Sequence, residues 1–295
     1  MIEQRYADLF AQGSQVNLEI AEREIVLTYV LKILEDAGLL KALAFKGGTC
    51  LRKCVYGKET RFSVDLDFTS SNVANADDVI LELLTALGKP AYGLTFNVNT
   101  KDFYVAEDGF SCGAIVSYGH SWNEARFKLD ISLREPPSLS LVNLPLKPQT
   151  YFKTLEFAPF SVSCFSFEEL LAEKIRASFQ RVRSRDLYDL AKAAEKPLNG
   201  TLIRALAVIK CWNVREAFDP AGFLKRFRLG KYDWNDLKQL VRRSENVVPE
   251  KLISLCESRY KFLLALTEKE KQLIADAKRH RSPALPRALL KQIEA

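Results

Sequence analysis

Asp65 and Asp67 form an Asp-Leu-Asp motif in a segment where apolar and polar residues alternate. Val64, Leu66 and Phe68 occupy the intervening positions. This pattern predicts a strand with both carboxylates on one face, at Cα positions about 6.5 Å apart. Two carboxylates held this close repel each other unless a cation relieves them, and Mg²⁺ prefers oxygen ligands. The motif therefore indicates a divalent-metal site, with a solvated acidic strand face as the alternative.

A third carboxylate, Asp130, lies in another alternating segment. Phe127, Leu129 and Ile131 share one face of this predicted strand, and Asp130 shares the other face with Lys128. If the two strands are neighbours, the three carboxylates would complete a metal clamp of the kind used in phosphoryl chemistry. Asp130 is therefore the candidate third metal ligand.

The residues that precede the aspartates are suited to phosphate binding. Lys46, Gly47, Gly48 and Thr49 follow a short apolar run. The glycines let the backbone pass close to a phosphate, and the next helix would offer free N–H groups and its positive dipole end. The hydroxyl of the threonine could cap that helix or bind a phosphate oxygen. Basic residues that could neutralise triphosphate oxygens, or simply be solvated, follow at Arg52, Lys53, Lys58 and Arg61.

The surrounding periodicity predicts the elements that position these residues. Helices are expected over residues 17–36, 49–56 and 74–88, and strands over 42–45, 64–70, 94–100, 102–108, 112–118, 125–135 and 159–166. After Phe167 the pattern is helical almost throughout. The expected fold class is α+β, with a mixed-sheet domain (residues 1–165) followed by an all-helical domain (residues 166–295).

Charge is distributed unevenly between these two domains. The net charge is +6, but residues 1–165 carry 16 Lys+Arg and 20 Asp+Glu, whereas residues 166–295 carry 27 and 17. The halves therefore have net charges of −4 and +10. A basic half suggests a polyanionic partner, and solvated helix faces are the alternative.

Other function classes find little support in the sequence. Cys50 and Cys54 are four residues apart on a predicted helix, but no second cysteine pair or nearby histidine completes a zinc set, so free thiols in a reducing cytoplasm are expected. His120 and His280 stand alone, which argues against Ser/His/Asp or Cys/His chemistry. The chain has no apolar run of membrane-spanning length and a polar N-terminus. A cytoplasmic protein without membrane association is expected.

Several separated blocks resemble the AbiEii-type nucleotidyltransferase toxins, which share the polymerase-β-like nucleotidyltransferase fold. The blocks are "FKGGTCLRK", "RFSVDLDF", "LDIS", "AEKIRA" and "RSRDLYDL", and they run in the family's order from Lys46 to Leu190. The resemblance implies an enzyme that transfers NMP from an NTP to an acceptor and releases pyrophosphate. It also implies a role as the toxin of a type IV toxin–antitoxin or phage-defence system.

The resemblance assigns roles to residues that match the family's motifs. It implies that Gly47, Gly48 and Thr49 hold the triphosphate, with threonine where many relatives have serine, and that Asp65, Asp67 and Asp130 bind Mg²⁺ or Mn²⁺. Lys174, in the Glu-Lys helix, would contact the triphosphate. The expected nucleotide-binding set also includes Lys46, Arg52, Arg61 and Asp186, and the expected catalytic set includes Lys174 and Asp189. Helix spacing alone also allows Asp189 to pair with Arg185. Asp189 could instead orient Lys174 or Arg176 across the helix pair.

The resemblance favours RNA as the acceptor, specifically the 3′ end of tRNA, and an antitoxin as a further partner. The basic half would then bind RNA. Candidate contacts are Arg181, Arg183, Lys225, Arg226, Arg228, Arg242, Arg243, Lys278, Arg279 and Arg281. Two alternatives stay open: a nucleotidyltransferase that acts on a small molecule or protein side chain, and an inactive module that binds RNA or a partner.

Overall fold

The computed structural model describes residues 2–71, 75–98, 100–280 and 282–294. The chain divides into two compact units, residues 1–165 with 239–245 and residues 166–238 with 246–295. The segment 239–245 was not expected in the first unit. Its backbone is bonded there, since the Phe62 N–H donates to the Leu240 carbonyl at 2.6 Å and the Arg243 N–H donates to the Gln15 carbonyl at 2.9 Å.

The first unit is built on a mixed sheet. Its strands are β1 (Leu43–Lys46), β2 (Asp65–Ser70), β3 (Thr95–Asn97), β4 (Phe103–Val105), β5 (Ser111–His120), β6 (Asn123–Ser132), β7 (Val142–Pro145) and β8 (Ser161–Cys164). The strand order is β3-β5-β6-β2-β1-β8-β7, and β4 also pairs with β5. Strand β2 therefore lies inside the sheet, antiparallel to β1 and parallel to β6.

One face of this sheet forms part of the core. Leu66 and Phe68 on β2 and Leu129 and Ile131 on β6 are completely buried. The ring of Phe68 lies 5.2 Å from that of Phe45 on β1, measured between centroids. Because side chains alternate along each strand, the residues between these core positions project from the opposite face.

The helices of the first unit cover this core. They are α1 (Gln4–Ser14), α2 (Leu18–Asp36), α3 (Gly47–Cys50) and α4 (Ala76–Leu87), and a π-helix (Leu51–Tyr56) directly follows α3. Helix α2 is buried on most sides, with Val26, Leu27, Val30 and Leu31 fully enclosed. The Asn75 side chain caps α4 by accepting a bond from the Asp77 N–H at 3.1 Å.

In the second unit, the described residues form helices and the loops that connect them. Its helices are α5 (Phe167–Gln180), α6 (Ser184–Ala194), α7 (Gly200–Asn213), α8 (Pro220–Leu229), α9 (Trp234–Lys238), α10 (Pro249–Arg259), α11 (Glu268–Asp276) and α12 (Ala284–Glu294). Capping residues explain where several begin. Ser166 caps α5, Asp219 precedes the proline that opens α8, and Thr267 with Glu270 forms a capping box on α11.

The predicted fold class is confirmed. The helix predicted over 17–36 is α2, and the alternating segments form β2 to β6 and β8. The first residue of the helix predicted over 74–88, Ala74, lies outside the described residues. Helix α1 and strand β7 were not predicted. Among the described residues, no helix combines the length and the apolar character needed to cross a membrane.

Candidate active site

The three candidate metal ligands lie on two adjacent strands inside the sheet. Strands β2 and β6 are parallel, with Asp67 in register with Asp130 and Asp65 in register with Lys128. Since side chains alternate along a strand, Asp65 and Asp67 project on the same face as Asp130, whereas the intervening Leu66 is buried. The structure thus brings together the three carboxylates that the sequence singled out.

These carboxylates repel one another, and the effect is clearest at Asp130. Burial raises its pKa, and the charges of Asp67 and Asp65 raise it further, to about 7, against the opposing charge of Lys46. Lys128 Nζ also lies 2.7 Å from Asp130 Oδ2, but its side chain is 49% exposed. An exposed ammonium is screened by solvent. A set of oxygen donors under mutual repulsion fits a hard divalent cation.

Gly47 and Gly48 follow β1 directly and form the first turn of α3. Gly47 has φ +79°, and a Cβ there would lie 2.1 Å from Asp67 Oδ2. A Cβ at Gly48 would lie 2.6 Å from a terminal guanidinium nitrogen of Arg61 and 3.1 Å from Ser63 Oγ. The absence of both side chains lets the backbone approach a carboxylate on one side and a guanidinium on the other. An anion bound at this turn would therefore lie beside both.

Thr49 connects the turn to the aspartate strand. Its side chain is fully buried, and its hydroxyl donates a hydrogen bond to the main-chain carbonyl of Asp65. A hydroxyl has one proton to donate. This geometry favours a positioning role for Thr49 over the predicted contact with a phosphate oxygen.

Lys46 and Arg61 lie next to the turn. Lys46 ends β1 in register with Asp67, and its Nζ lies 5.7 Å from the centroid of the Phe165 ring. Arg61 is buried, and its Nη1 donates to the Phe62 carbonyl at 2.9 Å. Both residues therefore place positive charge near the glycines, and their contact with a nucleotide stays a prediction.

Arg52 faces the protein interior instead of the turn. Its side chain is fully buried, and its Nη1 donates to the carbonyls of Gly57 (2.9 Å) and Thr60 (2.8 Å). Its guanidinium carbon lies 4.0 Å from the centroid of the Phe62 ring. The predicted contact between Arg52 and the nucleotide does not fit this placement, because these partners use the guanidinium to hold the following loop. We leave Arg52 out of the proposed site.

In the second unit, Lys174, Asp186 and Asp189 form a buried ion-pair cluster. Lys174 Nζ lies 3.1 Å from Asp186 Oδ1 and 2.8 Å from Asp189 Oδ2. Arg181 Nε lies 2.8 Å from Asp186 Oδ2. Burial raises the pKa of Asp186, but Lys174 and Arg181 outweigh it, so the pKa is lowered overall. Both aspartates are enclosed and orient the ammonium, which argues against direct contact between Asp186 and a nucleotide.

Comparison with known proteins shows the family to which this chain belongs. Residues 29–284 match the profile of the family described as "Nucleotidyl transferase AbiEii toxin, Type IV TA system". The chain belongs to the AbiEii family. MenT4, a nucleotidyltransferase toxin from Mycobacterium tuberculosis H37Rv, is 24% identical, with a TM-score of 0.84 over 99% of both chains. JHP933 from Helicobacter pylori is 19% identical, with a TM-score of 0.47 over 92% of this chain and 99% of that one. No curated protein matches the chain.

Membership of the AbiEii family makes the protein a nucleotidyltransferase, as the sequence blocks implied. The family consists of toxins of type IV toxin–antitoxin systems, so an NTP substrate and an antitoxin partner are implied. Nucleotidyltransferases typically use a divalent metal. The carboxylates on β2 and β6 form a donor set that fits one.

Tyr104 lies close to the three carboxylates and was not identified from the sequence. Gly113 on β5 pairs with Asp130 on one side and with Tyr104 on the other. A Cβ at Gly113 would lie 2.7 Å from Tyr104 Oη, and the Tyr104 ring centroid lies 5.3 Å from Lys128 Nζ. The tyrosine therefore packs over the glycine, close to the site. The signal in the sequence was Gly113 itself, since glycine within a strand often marks a close approach.

Proposed function

We propose that Asp65, Asp67 and Asp130 form the metal-dependent centre of nucleotidyl transfer and that the acceptor is RNA, at the 3′ end of tRNA. One observation carries the first part. Asp67 lies in register with Asp130 and also packs against Gly47 of the turn. To bind a metal–triphosphate, a site needs ligands for the metal and groups for the phosphates. The three carboxylates would supply the first, and the glycine turn beside the buried Arg61 guanidinium would supply the second.

The proposed reaction forms a bond between an acceptor hydroxyl oxygen and the α-phosphorus of the NTP. The bond to the β-phosphate breaks, and pyrophosphate leaves. Gly47 and Gly48 would present backbone to the leaving phosphates, while Lys46 and Arg61 would neutralise the charge that develops on them. A divalent cation, Mg²⁺ or Mn²⁺, would supply further neutralisation and lower the pKa of the acceptor hydroxyl.

Asp130 is the proposed acceptor of the hydroxyl proton as well as a metal ligand. Without a cation, burial and the charges of Asp67 and Asp65 raise its pKa to about 7, and a bound cation would lower that pKa again. The proposed role as base therefore rests on the position of Asp130 beside the other two carboxylates. Thr49 would keep Asp65 in place through the Asp65 carbonyl. Each of these residues thus has a separate part in binding, positioning or proton transfer.

Lys174 keeps a proposed role in nucleotide binding, on the strength of its match to the family's Glu-Lys helix. Asp189, with Asp186, would keep its ammonium charged and oriented. We further propose that the two compact units are separate domains. The first would carry the chemistry, and the helical second would bind the acceptor.

Charge and local composition in the second unit support an RNA acceptor. Arg242, Arg243 and Glu245 pack in the first unit, so the net charge of the second unit is +9 instead of +10. Its Arg181 and Arg183 are exposed beside a small depression that the buried residues Phe223 and Phe227 also line. Exposed guanidinium groups can bind the phosphates of an RNA backbone.

Some of the predicted RNA contacts are used inside the protein. Arg242 Nη2 donates to the Lys58 carbonyl at 2.9 Å, and Arg243 Nη2 donates to Asn17 Oδ1 at 2.7 Å. These two arginines help to fix the segment 239–245 in the first unit, so we do not count them as RNA contacts. Arg281 lies outside the described residues.

The experiment combines the purified protein with each α-labelled NTP, a divalent cation and deacylated tRNA. The proposal expects labelled tRNA, equimolar pyrophosphate and no transfer after chelation of the metal. Pyrophosphate release that requires a protein or small-molecule acceptor would overturn the RNA assignment. Release of no pyrophosphate with any NTP and acceptor would favour an inactive binding module.

A further inference from the structure

Three thiols converge in the first unit at a place that the proposed transfer chemistry does not use. Cys50 ends α3, Cys54 lies in the π-helix, and Cys164 ends β8. Their Sγ atoms all lie within 4.8 Å of one another. The three residues are 0%, 2% and 0% exposed, respectively. In the sequence Cys50 and Cys54 form an isolated pair, because Cys164 lies far along the chain.

The fold explains why the thiols meet. Phe45 on β1 is in register with Cys164 on the parallel strand β8. Strand β1 then runs directly into the Gly47–Gly48 turn and α3, which brings Cys50 and Cys54 back beside β8. The spacing of four residues keeps these two cysteines on the same side of their helical segment. The cluster therefore lies directly behind the turn that we propose binds the triphosphate.

We propose that Cys50, Cys54 and Cys164 form a site for a soft, three-coordinate metal ion, namely Cu⁺. Thiolates select soft ions, and Cu⁺ is the biologically common soft ion that three thiolates can satisfy. With metal–sulfur bonds of about 2.3 Å, a trigonal site needs sulfur–sulfur distances of about 4.0 Å. The sulfur–sulfur distances, all within 4.8 Å, are compatible with this geometry.

The surroundings of the thiols favour Cu⁺ over Zn²⁺. Zinc usually requires four ligands, and in closed structural sites all of them come from the protein. Among the described residues, no histidine, aspartate or glutamate joins the three cysteines as a fourth ligand. Their burial also excludes the water that would complete a zinc site. Binding replaces three S–H bonds by three metal–sulfur bonds, releases three protons and changes no oxidation state.

The proposed metal site adjoins the nucleotide turn. Cys50 directly follows Thr49, whose hydroxyl is bonded to the Asp65 carbonyl. The binding of Cu⁺ does not depend on the proposed transfer activity and is tested without it.

The test is an anaerobic titration of the reduced, metal-free, full-length protein with Cu⁺ in the presence of a chromophoric Cu⁺ chelator. We expect uptake of one equivalent, an ultraviolet thiolate-to-metal absorption and a release of protons. Cys164→Ala should lose this uptake. Cys112→Ala is the matched control, because Cys112 is a completely buried free thiol in the same unit, on β5, outside the cluster.

Specific outcomes would overturn the proposal. The proposal is wrong if the wild type fails to take Cu⁺ from the chelator, or if wild type and Cys164→Ala take up equal amounts. It is also wrong if the protein binds Zn²⁺ tightly without binding Cu⁺. If Cys164→Ala does not fold, Cys54→Ala takes its place. Thermal melting of the wild type adds an independent readout, since Cu⁺ should raise its melting temperature and an unchanged value would count against the site.

Discussion

Asp67 lies directly opposite Asp130 across the parallel strands β2 and β6, and its carboxylate also lies against the Cα of Gly47. One side chain thus belongs to both the proposed metal cluster and the proposed phosphate turn. A change on either side of Asp67 should therefore disturb transfer, but through different steps. Separate measurements of metal binding, NTP binding and transfer can distinguish these steps.

Replacement of Asp67 by Asn should reduce nucleotidyl transfer by about a thousandfold, because loss of a metal ligand removes several kcal/mol of charge stabilisation and each 1.36 kcal/mol is tenfold. The fold should be unchanged, since the two side chains have nearly the same shape. Asp108→Asn is the matched control, because Asp108 is an exposed acid in the same unit. Transfer by Asp67→Asn at the rate of the control would contradict the assignment of the metal site.

The pKa of Asp130 should make the stability of the metal-free protein depend on pH. In the folded state this carboxyl keeps its proton up to about pH 7, against an ordinary pKa of 3.8. Between these values the folded state binds more protons than the unfolded state, so the contribution of Asp130 to the free energy of unfolding falls as pH rises. Above pH 7, Asp130→Asn should melt roughly 2–4 °C higher than wild type in the presence of a chelator, if the repulsion costs about 1 kcal/mol.

The measurement is thermal melting of wild type and Asp130→Asn across neutral pH, with chelator and then with Mg²⁺. We expect the two curves to diverge as pH rises. An added cation should remove the difference by relieving the repulsion in the wild type. Parallel curves in the chelator would show that Asp130 titrates as an ordinary aspartate.

Gly47→Ala should damage the site beyond its effect on backbone strain. An alanine at φ +79° costs about 1–2 kcal/mol, and its Cβ would also displace the Asp67 carboxylate. A displacement of this kind can reduce transfer by about a hundredfold. Gly38→Ala is the matched control, because Gly38 has the same φ of +79° and no atom lies within 4 Å of the position that a Cβ would occupy there. Gly47→Ala should lose more stability than Gly38→Ala in denaturant titrations, because its Cβ would also meet Asp67 Cβ at 2.8 Å, and only Gly47→Ala should lose transfer.

Thr49→Val and Thr49→Ser should separate a positioning role from a phosphate contact. Valine keeps the shape but removes the hydroxyl that donates to the part-buried Asp65 carbonyl, which should cost about 1–3 kcal/mol of stability. Serine keeps the donor and should cost less. A lower kcat with unchanged KM for NTP would support positioning of Asp65. A raised KM with unchanged stability would instead support direct contact between Thr49 and the triphosphate.

The carboxylate site could be predicted from the sequence because its signals are local. The period of two in β2 and β6 determines which side chains share a face, and both glycines of the turn are adjacent in the chain. The neighbour relation of β2 and β6 was an assumption that the strand order supports. Family resemblance located Lys174 and Asp189, which periodicity alone could not distinguish from ordinary helix ion pairs.

The residues that sequence reasoning misplaced depend on tertiary structure. Arg52 follows the turn where α3 changes into a π-helix, so the period of 3.6 does not tell which way it points. Cys164 reaches Cys50 only because β8 pairs with β1. The return of residues 239–245 to the first unit depends on single backbone bonds such as that between Phe62 and Leu240. No local pattern encodes these contacts.

RNA binding should weaken steeply with salt if the second unit holds the acceptor. Each phosphate contact releases condensed cations, so about five contacts would lose roughly two orders of magnitude in affinity between about 50 and about 200 mM salt. Arg226 and Arg228 are poor targets for charge reversal. The Arg226 guanidinium donates to the Phe179 carbonyl, so its replacement would disturb packing. Arg228 is exposed, but its charge is already paired with that of Glu257 at 2.6 Å.

Arg183 and Lys225 are better targets, because both are exposed and a glutamate at position 183, just before α6, is compatible with the helix dipole. The double variant Arg183→Glu with Lys225→Glu should bind tRNA more weakly, depend less on salt and modify less tRNA. Its NTP affinity should be unchanged. The matched control carries the same number of reversals at Lys251 and Lys269, exposed residues on α10 and α11. A flat salt dependence in the wild type, or equal tRNA modification by both double variants, would argue for an acceptor held elsewhere or for one that is not RNA.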